Sequence, residues 1–193
     1  WVPFLTRRAE HGNTMPRTAP NQRGLLRGDC HAPALAQAVG QVLEAVIQAL
    51  PEPPRRICMM VSARPREGRT SLTHNLALLA SRSAPDPVVV VDADTRSPRL
   101  HEVLGVPRGP GLTDALRGDV PLAAALRPAP DAAGVQVLSA GTGDLRRTAF
   151  SDARALQQLF GELRSRFTWV CVDTAPLLTA PAAAALARHT DGA

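Results

Sequence analysis

Short apolar runs alternate with amphipathic segments from residue 33 onward. Apolar residues within 33–50 recur at the spacing of one helical face, and Pro33 suits the first turn of a helix. The four consecutive valines at 88–91 are typical of a strand buried on both faces of a parallel sheet. The same patterns predict further strands at 57–61, 135–138 and 169–172, further helices at 70–81, 153–167 and 181–188, and two short helices within 112–126.

The order of these segments predicts the fold class. Strands that alternate with helices form parallel β-α-β units. We therefore expect an α/β fold, a three-layer α/β/α sandwich with a mainly parallel sheet, whose ligand lies at the carboxyl ends of the strands. Residues 1–32 are rich in Arg, Pro, Asn and Gly without periodicity, so they are expected to be a disordered tail or linker that precedes a domain at 33–193.

Composition excludes some classes of function. The net charge is +5 and all basic side chains are arginines, but these are dispersed along the chain, and only 3% of residues are aromatic. Base stacking would have few candidate side chains, so we predict no nucleic-acid partner. No run of eighteen apolar residues predicts a membrane span, and the cysteines lack the spacing of a zinc site.

The loop between the first predicted strand and its helix is comparable to the phosphate-binding P-loop, G-x-x-x-x-G-K-[ST]. Gly68 fills the second glycine position and Thr70 the magnesium-binding hydroxyl position, whereas Ala63 replaces the first glycine and Arg69 the lysine. An ordinary strand-to-helix turn is the alternative. The phosphate-binding interpretation assigns the nucleotide contacts to Pro65, Arg66, Glu67, Gly68, Arg69, Thr70 and Ser71.

Aspartates follow two of the predicted strands. Asp92 and Asp94 come directly after the valine strand, and Asp173 directly follows the strand at 169–172. Carboxylates that share one side repel each other unless a cation lies between them, and Mg²⁺ bound to nucleotide phosphates is a natural cation here. Arg96 is an alternative source of positive charge, and capping of the following helix is an alternative role for each aspartate.

These motifs resemble those of the bacterial tyrosine kinases that control exopolysaccharide synthesis. The segment 88–96 is similar to the family's A-prime motif, an apolar run followed by D-x-D-x-R. The segments 111–118 and 137–141 look like its continuation, and 173–176 is similar to its Walker B motif. The resemblance covers residues 33–193. It implies a P-loop NTPase-type domain, truncated at its C-terminus, of an ATP- and Mg²⁺-dependent protein-tyrosine autokinase.

The resemblance also implies roles and partners. Asp92 would activate the acceptor hydroxyl, Asp94 would support the metal site, and Asp173 would hold a metal-bound water. The implied metal ligands are Thr70, Asp92 and Asp173. The family's enzymes act in the cytoplasm at the inner face of the plasma membrane. Their partner is a membrane polysaccharide co-polymerase, or chain-length regulator, to which some are fused, and self-association is also implied.

Several positions depart from the family pattern. Arg69 stands at the lysine position and Arg66 where many such loops carry glycine, and the chain contains no tyrosine. The family's charged oligomerisation motif is absent from the first helix, where Glu44 is the only charged residue. Three hypotheses about function are therefore compatible with the sequence: a working kinase domain, a degenerate scaffold of the same pathway, and a partitioning or septum-site ATPase.

Overall fold

The computed structural model describes residues 33–50, 56–84, 86–143, 150–178 and 182–193, so the tail or linker expected at 1–32 lies outside the described residues. Five strands within these ranges form one sheet. The strands are β1 (Arg56–Met60), β2 (Val88–Ala93), β3 (Leu126–Pro128), β4 (Val135–Leu138) and β5 (Trp169–Thr174), and the helices are α1 (Pro33–Ala49), α2 (Arg69–Ser81), α3 (Leu100–Leu104), α4 (Leu112–Leu116), α5 (Leu122–Ala125), α6 (Ala153–Arg166) and α7 (Ala182–Ala187).

The sheet has the strand order β1-β5-β2-β4-β3. The first four strands in this order are parallel, and β3 at the edge is antiparallel to β4. Successive valines of β2 point to opposite faces, as the two-residue period of a strand requires. Val88 and Val90 pack with residues of α1 and α2, whereas Val89 and Val91 pack with residues of α4, α5 and α6. The three-layer α/β sandwich is therefore confirmed.

Two short elements differ from the sequence prediction. The helical pattern expected up to residue 126 ends at Ala125, and Leu126–Pro128 forms β3 instead. Prolines at 128 and 130 exclude a continued helix, and pairing of Leu126 with Leu138 adds the segment to the sheet edge. The five-residue helix α3 was not predicted because it is too short to show a period.

The outer edge of β1 is partly paired by a later segment. The backbone N–H of Met59 donates to the carbonyl of Gly192 at 2.9 Å, and that of Asp191 donates to the carbonyl of Ile57 at 2.8 Å. The Asp191 carboxylate accepts from the Ile57 N–H at 2.7 Å and from the Arg164 guanidinium at 2.8 Å. We call residues 191–192 the edge clamp, because these contacts fix them against both β1 and α6.

None of the helices in the described ranges combines the length and the apolar character that a membrane crossing requires.

Candidate functional site

The carboxyl ends of β1, β5 and β2 meet at one edge of the sheet, as expected for parallel neighbours. The loop 61–68 leaves β1 there and leads into α2. Asp92 and Asp173 occupy paired register positions on β2 and β5, so the two carboxyls lie side by side. The predicted convergence of the loop with the two aspartate motifs is therefore present, while the functional roles of these residues stay predictions.

The loop before α2 contains two residues with left-handed backbone. Gly68 has a φ of 86° and immediately precedes the first turn of α2. Arg66 has a φ of 65°, a conformation that costs an L-residue with a Cβ atom more than it costs glycine. The Glu67 carboxylate accepts the Arg64 N–H at 3.2 Å and tightens the turn. Arg66 thus stands in a backbone conformation that suits the glycine more common at this place.

The Arg69 guanidinium lies at the centre of the site, and each of its three nitrogens faces a different oxygen. Nη1 donates to Ser62 Oγ, Nη2 lies 3.6 Å from Asp94 Oδ2, and Nε lies 3.4 Å from Asp173 Oδ1. The Arg69 side chain is 10% exposed and the two carboxylates are 11% and 3% exposed. Water screens these pairs far less than pairs on the surface, so their charges interact strongly.

Thr70, the next residue, binds the same carboxylate from its other side. Its Oγ1 donates to Asp173 Oδ2 at 2.5 Å. Burial raises the pKa of Asp173 to about 6, although the Thr70 hydrogen bond and the Arg69 charge act in the opposite direction. Both oxygens of Asp173 therefore contact the first turn of α2.

Asp92 is fully buried, and its carboxylate accepts hydrogen bonds from backbone N–H groups rather than from a side chain. Its Oδ1 accepts the Asp94 N–H and its Oδ2 accepts the Leu100 N–H, each at 3.1 Å. Burial, with the Asp173 charge as the next cause, raises the pKa of Asp92 to about 8. The two hydrogen bonds fix the segment between β2 and α3, and they leave a lone pair on each oxygen for a further ligand.

A second buried carboxylate network lies beside the loop that follows β4. Asp114 Oδ2 accepts the N–H groups of Gly111 at 2.8 Å and Thr142 at 3.2 Å, and Oδ1 accepts from the Thr142 hydroxyl and the Arg117 guanidinium. Burial alone would raise the pKa of Asp114, but these donors outweigh it and hold that pKa below the usual range. Asp114 therefore joins α4 to the loop at 139–143.

The remaining predicted residues line the same loop. Pro65, Arg66 and Glu67 are exposed, and Ser71 is half-buried in the first turn of α2. Sequence reasoning missed Ser62, whose hydroxyl accepts from Arg69 and donates to the Arg64 carbonyl, and whose own carbonyl accepts the Leu177 N–H at 2.9 Å. Its place directly after β1, at the ligand edge of the sheet, was the available signal.

The oxygen donors at this edge fit one part of a magnesium site. No three His, Cys, Asp or Glu side chains in the described ranges are arranged to hold a metal ion by themselves. Mg²⁺ is commonly bound through one or two carboxylates while nucleotide phosphates and waters supply the other ligands. The Thr70 hydroxyl and the Asp173 carboxylate are adjacent oxygens that could ligate the ion in this way. They fit Mg²⁺ as partners of a bound nucleotide, not as a complete cage.

The chain is similar in sequence to bacterial tyrosine-protein kinases. No family model matches it. It is 26% identical over 153 residues to tyrosine-protein kinase wzc of Salmonella typhimurium, covering 79% of this chain and 21% of wzc. It is 26% identical over 126 residues to tyrosine-protein kinase ptk of Acinetobacter johnsonii, covering 65% of this chain and 17% of ptk. The chain thus spans about a fifth of the length of these relatives.

Solved structures of kinase domains are also similar to the chain. The kinase domain of Escherichia coli tyrosine kinase ETK superposes with a TM-score of 0.78 at 23% identity, covering 92% of this chain and 68% of that one. The kinase domain of VpsO superposes with a TM-score of 0.69 at 25% identity, covering 82% of this chain and 75% of that one. The septum site-determining protein MinD of Pyrococcus horikoshii, complexed with Mg-ADP, superposes with a TM-score of 0.58 at 26% identity, covering 70% of this chain and 55% of that one. The P-loop NTPase-type fold is confirmed, and the kinase domains resemble the chain more than MinD does.

Proposed function

We propose that this chain, which is 26% identical to the tyrosine-protein kinases wzc and ptk over 79% and 65% of its length, binds ATP with Mg²⁺ at the loop before α2 and transfers phosphate to a tyrosine hydroxyl. The observation that carries this proposal is the meeting of Arg69 and Thr70 with Asp94 and Asp173 at the carboxyl edge of the sheet. Cationic and hydroxyl side chains at a helix N-terminus provide the chemistry that phosphate binding needs.

The proposed roles follow the positions of the residues. The loop at 65–71 would surround the phosphates, and Arg69 would pair with them as a planar fork in place of an ammonium group. Thr70, Asp92 and Asp173 would supply the oxygen ligands or water contacts of Mg²⁺, which would neutralise charge on the phosphates. Asp94 would support this site, and Asp92, Asp94 and Asp173 are the proposed catalytic residues. Asp92 would accept the proton of the attacking hydroxyl, for which a raised pKa is appropriate.

The proposed pathway is polysaccharide synthesis or export at the inner face of the plasma membrane. The chain is 28% identical over 187 residues to the succinoglycan biosynthesis transport protein ExoP of Rhizobium meliloti, covering 94% of this chain and 23% of ExoP. We propose a membrane polysaccharide co-polymerase as the partner, in the same polypeptide or a separate one. Self-association and a cytoplasmic location belong to the same proposal.

A second candidate is a non-catalytic scaffold of the same pathway. Two observations favour it: the left-handed backbone of Arg66 and the engagement of Arg69 by both Asp94 and Asp173. In this case the loop is shaped poorly for phosphate, and the fold serves to present surfaces to partners.

Titration calorimetry of ATP into the chain, with and without Mg²⁺, tests the binding step. If Arg69 holds phosphate, Arg69→Ala should weaken ATP binding by roughly 1.5–3 kcal/mol, as expected for a hydrogen bond to a charged group. If the loop is degenerate, the wild type binds poorly, and the double variant Arg69→Lys, Arg66→Gly should restore binding. Absence of binding in all three proteins would contradict a nucleotide site.

Phosphate transfer needs its own assay. The chain contains no tyrosine, so an acceptor must be supplied from outside these 193 residues. A tyrosine-containing peptide with radiolabelled ATP gives the readout, and Asp92→Asn is the variant expected to lose transfer while keeping the ATP affinity measured without Mg²⁺. A wild type that binds Mg-ATP tightly but transfers no phosphate to any offered tyrosine would support the scaffold.

A further inference from the structure

We propose that Arg69 is a built-in counter-ion that keeps divalent cations out of the nucleotide-free site and admits them only when phosphate draws its guanidinium away from Asp94 and Asp173. This inference rests on the proposed function for its phosphate step and deepens it, because it assigns an order of binding. The exclusion of the cation in the absence of nucleotide stands on the geometry alone.

The geometry matches the place of a cation. The guanidinium contacts carboxylates from two different strands, Asp94 after β2 and Asp173 on β5, and its third nitrogen is held by the Ser62 hydroxyl. Hydrogen bonds to Ser62 and Asp173 and an ion pair with Asp94 hold the guanidinium between the two carboxylates. All three side chains of the ion pairs are almost completely buried.

The charges explain why this contact excludes a metal ion. A divalent cation entering between Asp94 and Asp173 would meet the positive guanidinium at short range, where little water screens the repulsion. To bind, the ion must displace the Arg69 guanidinium from both carboxylates. A lysine at this position has one compact ammonium group and lacks the fork that spans both carboxylates.

A phosphate group changes this balance. Nucleotide phosphates are competing bidentate acceptors for a guanidinium. Movement of Arg69 onto them would uncover two carboxylates beside the Thr70 hydroxyl, which are the oxygen donors that Mg²⁺ requires in addition to phosphate. Nucleotide and cation would then bind in sequence, with nucleotide first.

The test is a titration of Mg²⁺ into the nucleotide-free 193-residue chain, followed by calorimetry and by urea unfolding with and without the ion. We expect no saturable binding in the wild type. In Arg69→Gln we expect saturable Mg²⁺ binding, at least tenfold tighter than the weakest affinity that the titration can detect in the wild type. We also expect Mg²⁺ to raise the urea midpoint of this variant. Arg64→Gln is the matched control, since it removes an exposed arginine of the same loop, and it should behave as the wild type.

Two further variants keep the test decisive. Arg69→Gln combined with Asp94→Asn should lose at least tenfold of the gained Mg²⁺ affinity, because one of the uncovered carboxylates is gone. Should Arg69→Gln fail to fold, Arg69→Lys replaces it and should also bind Mg²⁺ at least tenfold more tightly than the wild type.

Two results would overturn the inference. One is wild-type Mg²⁺ binding as tight as that of Arg69→Gln, and the other is an Arg69→Gln or Arg69→Lys protein that folds and binds no Mg²⁺, because missing phosphate alone would then explain the exclusion. A separate ATP titration distinguishes the two proposals. If ATP does not bind, the proposed function fails, while the Mg²⁺ results still decide whether Arg69 is the counter-ion.

Discussion

Thr70 and Asp173 form a 2.5 Å hydrogen bond between the first turn of α2 and the carboxyl end of β5. Replacement of Thr70 by Val keeps the shape of the side chain but leaves the buried Asp173 carboxylate without this donor. We expect Thr70→Val to lower the free energy of unfolding by about 1–3 kcal/mol. Thr70→Ser, which retains the hydroxyl, is the control, and equal urea midpoints for the two variants would show that the bond contributes nothing.

The valine strand at the centre of the sheet should contribute strongly to stability. Val90 is fully buried, with β4 and β5 as neighbours and helices on its face. Val90→Ala is expected to cost on the order of 1–3 kcal/mol, from lost apolar burial and the cavity left behind. Val42→Ala on the exposed side of α1 removes the same atoms at a 39% exposed position and should change a thermal melt little.

Gly111 and Gly161 should respond to alanine with opposite signs. A Cβ atom at Gly111 would lie 2.2 Å from the Ser139 carbonyl oxygen and 2.5 Å from the Gly141 nitrogen, both backbone atoms that cannot move aside cheaply. Gly111→Ala should therefore destabilise the protein by about 1–3 kcal/mol or more. Gly161 lies within α6 with nothing near its Cβ position, so Gly161→Ala should add about 0.5–1 kcal/mol. If urea unfolding shows that both substitutions lower the free energy of unfolding, the opposite signs predicted here are wrong.

Asp114 should give the protein part of its acid sensitivity. Its folded-state pKa lies below that of an unfolded aspartate, so its stabilisation is fully present above a pH of about 4 and is lost as the pH falls through the lowered value. Asp114→Asn should cost about 1–3 kcal/mol at neutral pH, and the difference from wild type should shrink in acid. Urea unfolding from pH 7 to pH 2 measures this.

The exposed Asp131 supplies the matched comparison. Asp131→Asn makes the same chemical change at the surface and should follow the wild-type profile throughout. An Asp114→Asn curve that stays parallel to wild type down to pH 2 would mean that the network around Asp114 does not depend on its charge.

Long, strongly patterned elements were predictable because burial alone selects their residues. The valines of β2 and the amphipathic face of α6 illustrate this, since one is buried on both sides and the other on one side. The three-residue strand β3 was not predictable, because Leu126 joins the sheet through hydrogen bonds to a strand that comes later in the chain. Its local apolar sequence is equally compatible with a helix.

The site was predictable in outline and not in its contacts. The position of Asp92 and Asp173 directly after apolar runs placed them at one edge, because parallel strands share their carboxyl ends. That Arg69 binds Asp94 and Asp173 at once depends on the register of two strands and on the first turn of α2. Spacing along the chain carries no information on that register, so Arg96 was an equally reasonable partner.

The edge clamp at residues 191–192 has a consequence for behaviour in concentrated solution. An open strand edge offers unpaired N–H and carbonyl groups to the sheet of another molecule, which is a common start of aggregation. Here Asp191 and Gly192 take up the hydrogen-bonding groups of Ile57 and the N–H of Met59 on the outer side of β1. A charged carboxylate paired with Arg164 also stands at that edge. The clamp therefore occupies hydrogen-bonding groups of the strand Arg56–Met60 that would otherwise be open to a strand of another molecule.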